Sequence, residues 1–397
     1  MEAIAHLRQG LALLATLPES RERIQREVDM HIALGASLIA TKSAAAPEVQ
    51  QTYTRARQLC QHRDDPQRLF PVLRGLWIHY TARTELRTAH ELGEQLLDLA
   101  QKTQEPVMLT AAHRALAGTL FYLGEITSAL THATQGITLY DPQQHGAFAF
   151  LYGDDAGVVC RSQAAWTLWC LGYPDQGLTR SQEAVTLAQQ IAHPFSLAYA
   201  LSYAAIFHQF RREVRAAQEH AEAAIRLSME QGFPLWRTRA AVVRGWILAH
   251  QGQTQEGIQQ ITQSLMTYRA TGAEVLRPYW LALLVEVHGT LGEPEEGLTA
   301  LTEALALVDT TGERWYEPEL YRFKGELLLQ QASNNQAEVE NCFHHALDIT
   351  RHQQLGFYHL SRFRGSDLGC WVYYENTLPR PPRSEYRSSV PCGGSRA

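Results

Sequence analysis

The sequence of 397 residues predicts an all-α fold, a right-handed superhelical solenoid of stacked antiparallel helix hairpins. Two observations favour this fold. A pattern of small and apolar residues returns about every 40 residues, the length of a helical-hairpin repeat, and prolines return at about the same interval. A third observation disfavours the alternatives, because the sequence lacks the sustained alternation of apolar and polar residues that indicates strands.

The clearest copy of the repeat lies at residues 291–305. This segment contains small residues and leucines at helical spacing, namely Gly292, Gly297, Leu298, Leu301, Ala304 and Leu305. This pattern predicts a tight turn and then an amphipathic helix whose inner face lets a neighbouring helix approach closely. Further copies, some without the glycine, lie around Gly124, Gly172, Arg211, Gly252 and Asn334.

Prolines mark the helix starts. Proline is tolerated in the first turn of a helix, where its missing N–H has no intrahelical partner to lose. First helices are therefore expected to open at Pro66, Pro106, Pro194, Pro234, Pro278 and Pro318. Some second helices are expected to open at Pro47, Pro174 and Pro294.

Eight hairpins are expected in chain order. Residues 3–11 match the second helix of a repeat, so the chain either begins inside a repeat of a longer protein or opens with a capping helix. First helices are predicted to begin near Asp29, Pro66, Glu105, Asp155, Phe195, Pro234, Val275 and Glu313, and their partners near Pro47, Glu85, Ile126, Pro174, Glu213, Thr254, Pro294 and Asn335. Residues 1–354 are expected to form one array, because a lone hairpin cannot bury its apolar face.

One connection is longer than the others, at residues 141–155. It is either a functional loop or a first helix lengthened at its start. Its candidate ligand-binding residues are Asp141, His145, Tyr152, Asp154 and Asp155. The adjacent Asp154 and Asp155 have no evident partner in the sequence and are interpreted as solvated.

The repeat pattern stops after Gln354. Residues 355–397 contain aromatic residues without helical phase and a proline- and arginine-rich run at 379–383. Disordered segments are usually poor in aromatic residues. The aromatic residues therefore leave two alternatives. The segment is either a disordered tail or a spurious one, for example the product of a shifted reading frame.

Composition limits the class of partner and the compartment. The net charge of −6 and pI near 6.3 argue against nucleic-acid binding, which needs a basic face. No leader peptide or membrane span is recognisable. The six cysteines show no C-x-x-C pair, so they are expected to be reduced and mostly buried, and the protein is expected to be cytoplasmic.

Catalytic motifs are missing from the sequence. The 17 histidines include no H-E-x-x-H helix, and the chain has no G-x-S-x-G elbow, G-x-G-x-x-G turn or G-x-x-x-x-G-K-[ST] phosphate loop. The adjacent His344 and His345 point about 100° apart on a helix, which does not favour chelation of one ion. We therefore expect no enzymatic activity, cofactor or metal.

The repeat resembles the tetratricopeptide repeat (TPR) in a long form. More specifically, the chain resembles the carboxyl-terminal repeat region of bacterial signalling proteins that fuse a predicted ATPase to an adenylate/guanylate cyclase or a kinase. The runs that carry this resemblance lie at 11–18, 123–125, 139–145, 165–169, 172–176, 193–198, 208–213, 230–236 and 311–317. The resemblance implies a regulatory arm and does not extend to residues 355–397.

A repeat array of this kind usually binds a peptide or a partner helix on its concave face, which the first helices line. First-helix residues with suitable chemistry are Trp77, His79, Arg83, His113, Arg114, Tyr122, Arg161, Trp166, Tyr199, His208, Arg237, Arg244, Trp280, Tyr321 and Lys324. Arginine and aromatic residues are frequent interface hot spots. The alternative for Trp77, Trp166 and Trp280 is a place in the core between repeats.

The sequence thus predicts a protein-interaction or regulatory module that is the sensor or scaffold arm of a bacterial signalling ATPase or nucleotide cyclase. Its partner is expected to be a protein or peptide, and one candidate is an ATPase or cyclase domain of the same parent protein. The alternatives are a repeat domain that senses a small-molecule effector near residues 141–155 and a free-standing TPR scaffold.

Overall fold

A computed structural model describes residues 2–61, 65–146, 148–331 and 336–356, and these residues are helical apart from short connections. The helices are α1 (Glu2–Ala15), α2 (Arg21–Thr41), α3 (Pro47–Cys60), α4 (Pro66–Ala82), α5 (Leu86–Thr103), α6 (Pro106–Leu123), α7 (Ile126–Leu139), α8 (Pro142–His145), α9 (Phe148–Tyr152), α10 (Ala156–Cys170), α11 (Pro174–Ile191), α12 (Pro194–Phe210), α13 (Val214–Gln231), α14 (Pro234–His250), α15 (Thr254–Ala270), α16 (Arg277–Leu291), α17 (Pro294–Thr311), α18 (Glu317–Gln330) and α19 (Gln336–His352). No strand occurs within the described ranges.

The helices pair as antiparallel hairpins. The pairs are α2 with α3, α4 with α5, α6 with α7, α10 with α11, α12 with α13, α14 with α15, α16 with α17 and α18 with α19, while α1 packs on α2. The all-α hairpin solenoid predicted from the sequence is therefore confirmed. Apart from Leu355 and Gly356, the predicted non-repeat segment 355–397 lies outside the described residues.

Local sequence explains most helix boundaries. Pro66, Pro106 and Pro194 each open a first helix, as predicted. Glycine ends several helices in the left-handed conformation, for example Gly292 after α16 with φ of 73°. This conformation is strained for residues with a Cβ atom, so these turns favour glycine.

The predicted start of α2 near Asp29 is wrong, because the helix begins earlier, at Arg21. The hydroxyl of Ser20 accepts a hydrogen bond from the Arg23 N–H at 3.1 Å. A serine cap satisfies one of the free N–H groups of the first turn. No proline marks this start, so the proline spacing could not locate it.

The insertion at residues 141–155 forms two short helices, α8 and α9. The first helix after it, α10, begins only at Ala156, and Asp155 caps it by accepting a hydrogen bond from the Val158 N–H at 2.8 Å. The interpretation of the insertion as a lengthened first helix is therefore wrong. The insertion is a separate segment between two hairpins.

First and second helices differ in how they are buried. All residues of α12 are buried except Pro194 and Leu197, so this first helix is enclosed on every side. Its partner α13 buries only Ala217, Ala221, Ala224 and Ser228, which share one face. First helices therefore form the interior of the array, and second helices form its outer surface.

Tight packing inside the array requires particular glycines. A Cβ atom at Gly75 would lie 2.2 Å from the ring of Tyr53, and one at Gly35 would lie 2.3 Å from the same ring. The ring of Tyr53 thus lies directly against the backbones of α2 and α4. Both glycines allow these helices to approach the ring.

The array coils until distant hairpins meet. The backbone N–H groups of Glu274 and Val275, before α16, donate to the carbonyl of Ala82 at 2.8 and 3.2 Å. Before α18, the Arg314 N–H donates to the carbonyl of Tyr122 at 2.8 Å. We call these contacts the closure, because they join the second and third hairpins to the seventh and eighth.

The cysteines in the described ranges lie in the interior. Cys160, Cys170 and Cys342 are buried free thiols, and Cys60 is buried as well. Burial raises the pKa of the Cys160 thiol to about 12. Because the thiolate is the reactive form, this cysteine is unreactive in the folded protein.

Candidate ligand cleft

A cleft lies on the inner face of the array, where first helices α2, α4, α6, α10, α12 and α14 surround residues 152–154 of the insertion. Its water-accessible volume is about 100 Å³. We call it the central cleft. Its lining consists of Ala36, Ile39, Ala40, Ala44, Trp77, Ile78, Thr81, Ala82, Arg114, Gly118, Tyr122, Tyr152, Gly153, Asp154, Gln163, Phe195, Tyr199, Tyr203, Leu235, Trp236, Arg239 and Val275.

Asp154 brings a carboxylate from the insertion into the central cleft. One carboxylate oxygen accepts a hydrogen bond from Nη2 of Arg74, and the other accepts one from Nη2 of Arg114 at 2.6 Å. Nη1 of Arg74 also donates to the backbone carbonyl of Tyr152. All three charged side chains are buried. The interpretation of Asp154 as a solvated residue without a partner is therefore wrong.

Asp155 is also buried and partnered, contrary to that interpretation. It caps α10 and accepts a hydrogen bond from the Tyr140 hydroxyl at 2.8 Å. Burial raises the pKa of the Asp155 carboxyl, and the hydrogen bonds from Val158 and Tyr140 oppose this effect. This aspartate therefore anchors the start of α10 and does not face a ligand.

The first half of the insertion is anchored as well. Asp141 caps α8 by accepting a hydrogen bond from the Gln143 N–H at 2.9 Å. His145 is buried against the ring of Tyr140, with 5.1 Å between ring centroids. Its Nε2 lies 3.5 Å from the Thr110 hydroxyl. Of the five candidate residues in the insertion, Tyr152 and Asp154 line the central cleft, and the other three hold the insertion in place.

A further arginine, Arg239, lines the cleft from α14. Its guanidinium stacks over the rings of Trp236 and Tyr268, at 5.1 and 5.9 Å from their centroids. Nη2 donates a hydrogen bond to the Tyr268 hydroxyl at 3.3 Å. Within the described residues, no carboxylate oxygen forms an ion pair with Arg239.

Three tyrosines lie between the arginines. The hydroxyls of Tyr122 and Tyr203 are 3.2 Å apart, and the rings of Tyr199 and Tyr203 stack with 4.2 Å between centroids. Burial raises the pKa of Tyr122 and Tyr199 well above the ordinary value. These two tyrosines are therefore uncharged at neutral pH, and the cluster offers aromatic surface and hydroxyl groups.

Several polar atoms of the cleft lining lack a hydrogen-bond partner within the described residues. They are Nε and Nη1 of Arg114, Nε of Arg239, Nε1 of Trp236, Oε1 of Gln163 and Oγ1 of Thr81. Buried polar groups in native proteins nearly always have a partner. A concentration of unpaired groups around one cleft is the pattern expected where a ligand supplies the missing partners.

The structure separates the candidate partner-binding residues into two groups. Trp77, Arg114, Tyr122 and Tyr199 line the central cleft. The remainder lie elsewhere: His79, His113, Trp166, His208 and Trp280 are buried, Arg161, Arg244, Tyr321 and Lys324 are half-buried, and Arg83 and Arg237 are exposed.

The contacts of this second group are internal. His113 faces His132 of α7, with their Nδ1 atoms 3.0 Å apart, and His208 pairs with Glu213 at 2.6 Å. The indole of Trp166 donates to the carbonyl of Tyr203 at 3.1 Å. Arg161, Arg244 and Tyr321 contact Glu183, Gln260 and His345 of the following second helices.

The sequence analysis did not single out several polar and aromatic residues at the cleft. Gln163, Trp236 and Arg239 line it and Arg74 pairs with Asp154 there, and all four occur within runs of predicted first helix. A charged or amide residue at a position enclosed by apolar neighbours could have identified Arg74 and Arg239. Helical spacing alone could not, because first helices such as α6 and α12 are buried around almost their whole circumference.

Two other cavities are larger but less suited to a specific ligand. One of about 760 Å³ lies between α2, α3 and α4 and is lined by residues such as Glu19, Gln61 and Arg68. The other, of about 430 Å³, lies near Arg212 and Glu286, which pair with each other. The central cleft differs from both because its unpaired groups come from several helices.

Other types of site are not found in the part of the chain that the structure describes. There, no group of three histidine, cysteine or acidic side chains is placed to bind a metal ion. Among the same residues, no helix combines the length and apolar character needed to cross a lipid bilayer.

Comparison with known proteins identifies the fold. No family model and no curated protein matches the sequence. A Rap protein in complex with competence and sporulation factor has a TM-score of 0.65 at 12% identity, over 89% of this chain and 93% of that chain. The Rap conjugation gene regulator of plasmid pLS20, in complex with the Phr* peptide, has a TM-score of 0.54 at 11% identity, over 86% and 98%.

A human IFIT1 dimer with PPP-AAAA is also similar, with a TM-score of 0.51 at 12% identity over 88% of this chain and 83% of that chain. Identities this low establish the fold and nothing further. The chain therefore has the fold of a TPR-like helical-repeat solenoid.

Proposed function

We propose that this chain is a protein-interaction module with a regulatory role, and that the central cleft binds an extended peptide segment of its partner. The observation that carries the proposal is the set of unpaired buried groups on Arg114, Gln163, Trp236 and Arg239. These residues come from three separate first helices and line one and the same cleft. The similarity to a solenoid solved with the Phr* peptide supports a peptide ligand.

The route from binding to regulation follows from where the cleft lies. Its walls come from first helices α2 to α14 and from Val275 of the closure. A ligand that contacts all of these elements favours one curvature of the array over others. By linkage, that preference shifts the equilibrium of any domain that contacts the array.

The proposed context is a bacterial signalling protein in the cytoplasm, in which the array is the sensor or scaffold arm of an ATPase or nucleotide cyclase. The resemblance of the sequence to such regulatory arms supports this context. Its test is the DNA on both sides of the reading frame. An ATPase or cyclase domain next to the array would support the context, and an unrelated neighbourhood with a free-standing gene would overturn it.

Peptide binding is tested with a displayed peptide library. Ala40 lines the cleft on α2, whereas Ala33 on the same helix is exposed. We expect peptides selected on the wild-type protein to bind Ala33→Trp equally and Ala40→Trp at least about tenfold more weakly, because the indole fills the cleft. Retained binding by Ala40→Trp, or the absence of any enriched peptide, would overturn the proposal.

A small-molecule effector is the second candidate function. The observation that favours it is the small volume of the central cleft, about 100 Å³, which suits a compact ligand. A thermal-shift measurement with a metabolite panel separates the two candidates. Selective binding to the native state raises the melting temperature, so a peptide-binding module is expected to give no response to a panel used at micromolar concentrations, whereas a specific effector gives one.

A further inference from the structure

The two arginines that line the central cleft have the features of an incomplete anion site. Arg114 and Arg239 are each 5% exposed. Each guanidinium lies against an aromatic ring, Arg114 over Trp77 at 4.5 Å and Arg239 over Trp236 at 5.1 Å. This stacking fixes the plane of each guanidinium, which favours the planar, two-point binding of a carboxylate.

Most N–H groups of these two arginines are unused. A guanidinium carries five N–H donors. Among the described residues, Arg114 donates only to Asp154, through Nη2, and Arg239 donates only to the Tyr268 hydroxyl. Removing a charged donor from water without a partner costs more free energy than removing a neutral one. A bound anion would offset this cost.

The acidic groups around the cleft do not supply that anion. Asp154 is shared between Arg74 and Arg114, and Asp155 is committed to the start of α10 and to Tyr140. Glu313 is close enough to Arg239 to be influenced by its charge, but its carboxyl accepts hydrogen bonds from the Leu276 N–H and the Trp315 indole. Among the described residues that line the cleft, the positive charges of Arg114 and Arg239 therefore exceed the negative charge of Asp154.

The tyrosine cluster lies along the same cleft as the two arginines. Tyr122, Tyr199 and Tyr203 line it together with Arg114 and Arg239. An anion beside these tyrosines can also accept hydrogen bonds from their hydroxyls. The two guanidinium groups and the tyrosines thus form one continuous wall of donors.

We infer that the peptide ligand of this cleft carries a carboxylate, and that Arg239 together with the unused edge of Arg114 binds it. This inference rests on the proposed peptide-binding function and specifies the ligand as acidic. Asp154 shows that the cleft accommodates a carboxylate against a guanidinium, because it already occupies the other edge of Arg114. A phosphate group, which is bulkier and more highly charged, has no such precedent in the cleft.

The first test uses glutarate as the probe, with sodium chloride at equal ionic strength as the reference salt. Arg239→Met removes the charge, and Arg237→Met is the matched control, because Arg237 is exposed on the same helix. Millimolar glutarate is expected to raise the melting temperature of the wild-type and Arg237→Met proteins by about 1 to 3 °C. It is expected to leave Arg239→Met unchanged.

An equal shift in Arg239→Met would overturn the inference, as would a response to inorganic phosphate but not to glutarate. Circular dichroism checks that Arg239→Met is folded. If it is not, Arg239→Lys replaces it. A lysine keeps the charge but loses the fork of donors, so a reduced shift is expected and an undiminished one counts against the site.

The second test separates this inference from the proposed function. Peptides selected on the wild-type protein are resynthesised with every carboxylate replaced by an amide, including the carboxyl terminus. Loss of binding supports the inference. Undiminished binding overturns it while the proposed function stands. Glutarate binding without any peptide binding would overturn the proposed function and the peptide source of the carboxylate together.

Discussion

Glu313 gives a sharp prediction about pH and stability. The residue is fully enclosed in the connection before α18, where its carboxyl accepts hydrogen bonds from the Leu276 N–H at 2.9 and 3.0 Å and from the Trp315 indole at 3.0 Å. Burial raises its pKa to about 7, although these hydrogen bonds and Arg239 oppose the rise. The neutral form is therefore favoured in the folded protein.

The sign of the effect follows from proton linkage. The carboxyl of the unfolded chain ionises near pH 4.5 and that of the folded chain near pH 7. Its contribution to stability is therefore fully present below about pH 4.5 and is lost as the pH rises through 7. The loss between about pH 5 and pH 8 is about 2.5 kcal/mol.

The perturbation is Glu313→Gln, which keeps the shape and an acceptor oxygen but cannot ionise. Urea unfolding at several pH values gives the free energy of unfolding of the variant and the wild-type protein. We expect the variant to gain about 2.5 kcal/mol relative to the wild type between about pH 5 and pH 8. Burial lowers the pKa of His113 to about 4, so the stability contributed by such buried histidines changes with pH in the opposite direction. That change is common to both proteins, and the difference between their free energies of unfolding removes it.

The control for this measurement is Glu256→Gln, which changes an exposed glutamate on α15. Its difference from the wild type is expected to stay constant with pH. A constant difference for Glu313→Gln as well would refute the reasoning. It would mean that Glu313 ionises in the folded protein as easily as in water.

Two further predictions concern stability. Gly75→Ala is expected to lower the free energy of unfolding by at least about 2 kcal/mol in urea, because the new Cβ atom lies 2.2 Å from the ring of Tyr53. The control is Gly10→Ala, whose new Cβ atom contacts only the flexible end of the Met30 side chain, and it is expected to be neutral or stabilising. Equal changes in the free energy of unfolding for the two variants would contradict the packing argument. Asp154→Ala leaves two buried arginines without their anion and is expected to cost about 3 to 5 kcal/mol. Added acetate should restore part of that loss, and a cost below about 1 kcal/mol would contradict the buried ion pairs.

The sequence predicted most of the hairpins well, because two independent signals marked them. Prolines located helix starts such as that of α6 at Pro106, and glycines located turns such as Gly124. The start of α2 was missed because a serine caps it. The pairing of Asp154 was missed because Arg74 and Arg114 belong to two other hairpins, and no local pattern links them.

The central cleft was only partly predictable for a related reason. His113 and Arg114 are adjacent on α6 and both are buried, yet His113 faces α7 and Arg114 faces the cleft. Periodicity identifies which residues of a helix are enclosed. It does not identify the neighbour that encloses them, because that depends on how the hairpins stack in three dimensions.

The closure has a consequence for the order in which the chain can fold. A linear repeat array folds by adding neighbours, so its first hairpins can mature while the rest is still being synthesised. Here the carbonyls of Ala82 and Tyr122 receive their partners from residues 274–275 and 314. The amino-terminal half therefore leaves the ribosome with an unfinished edge, and its final packing waits for the last hairpins to be translated.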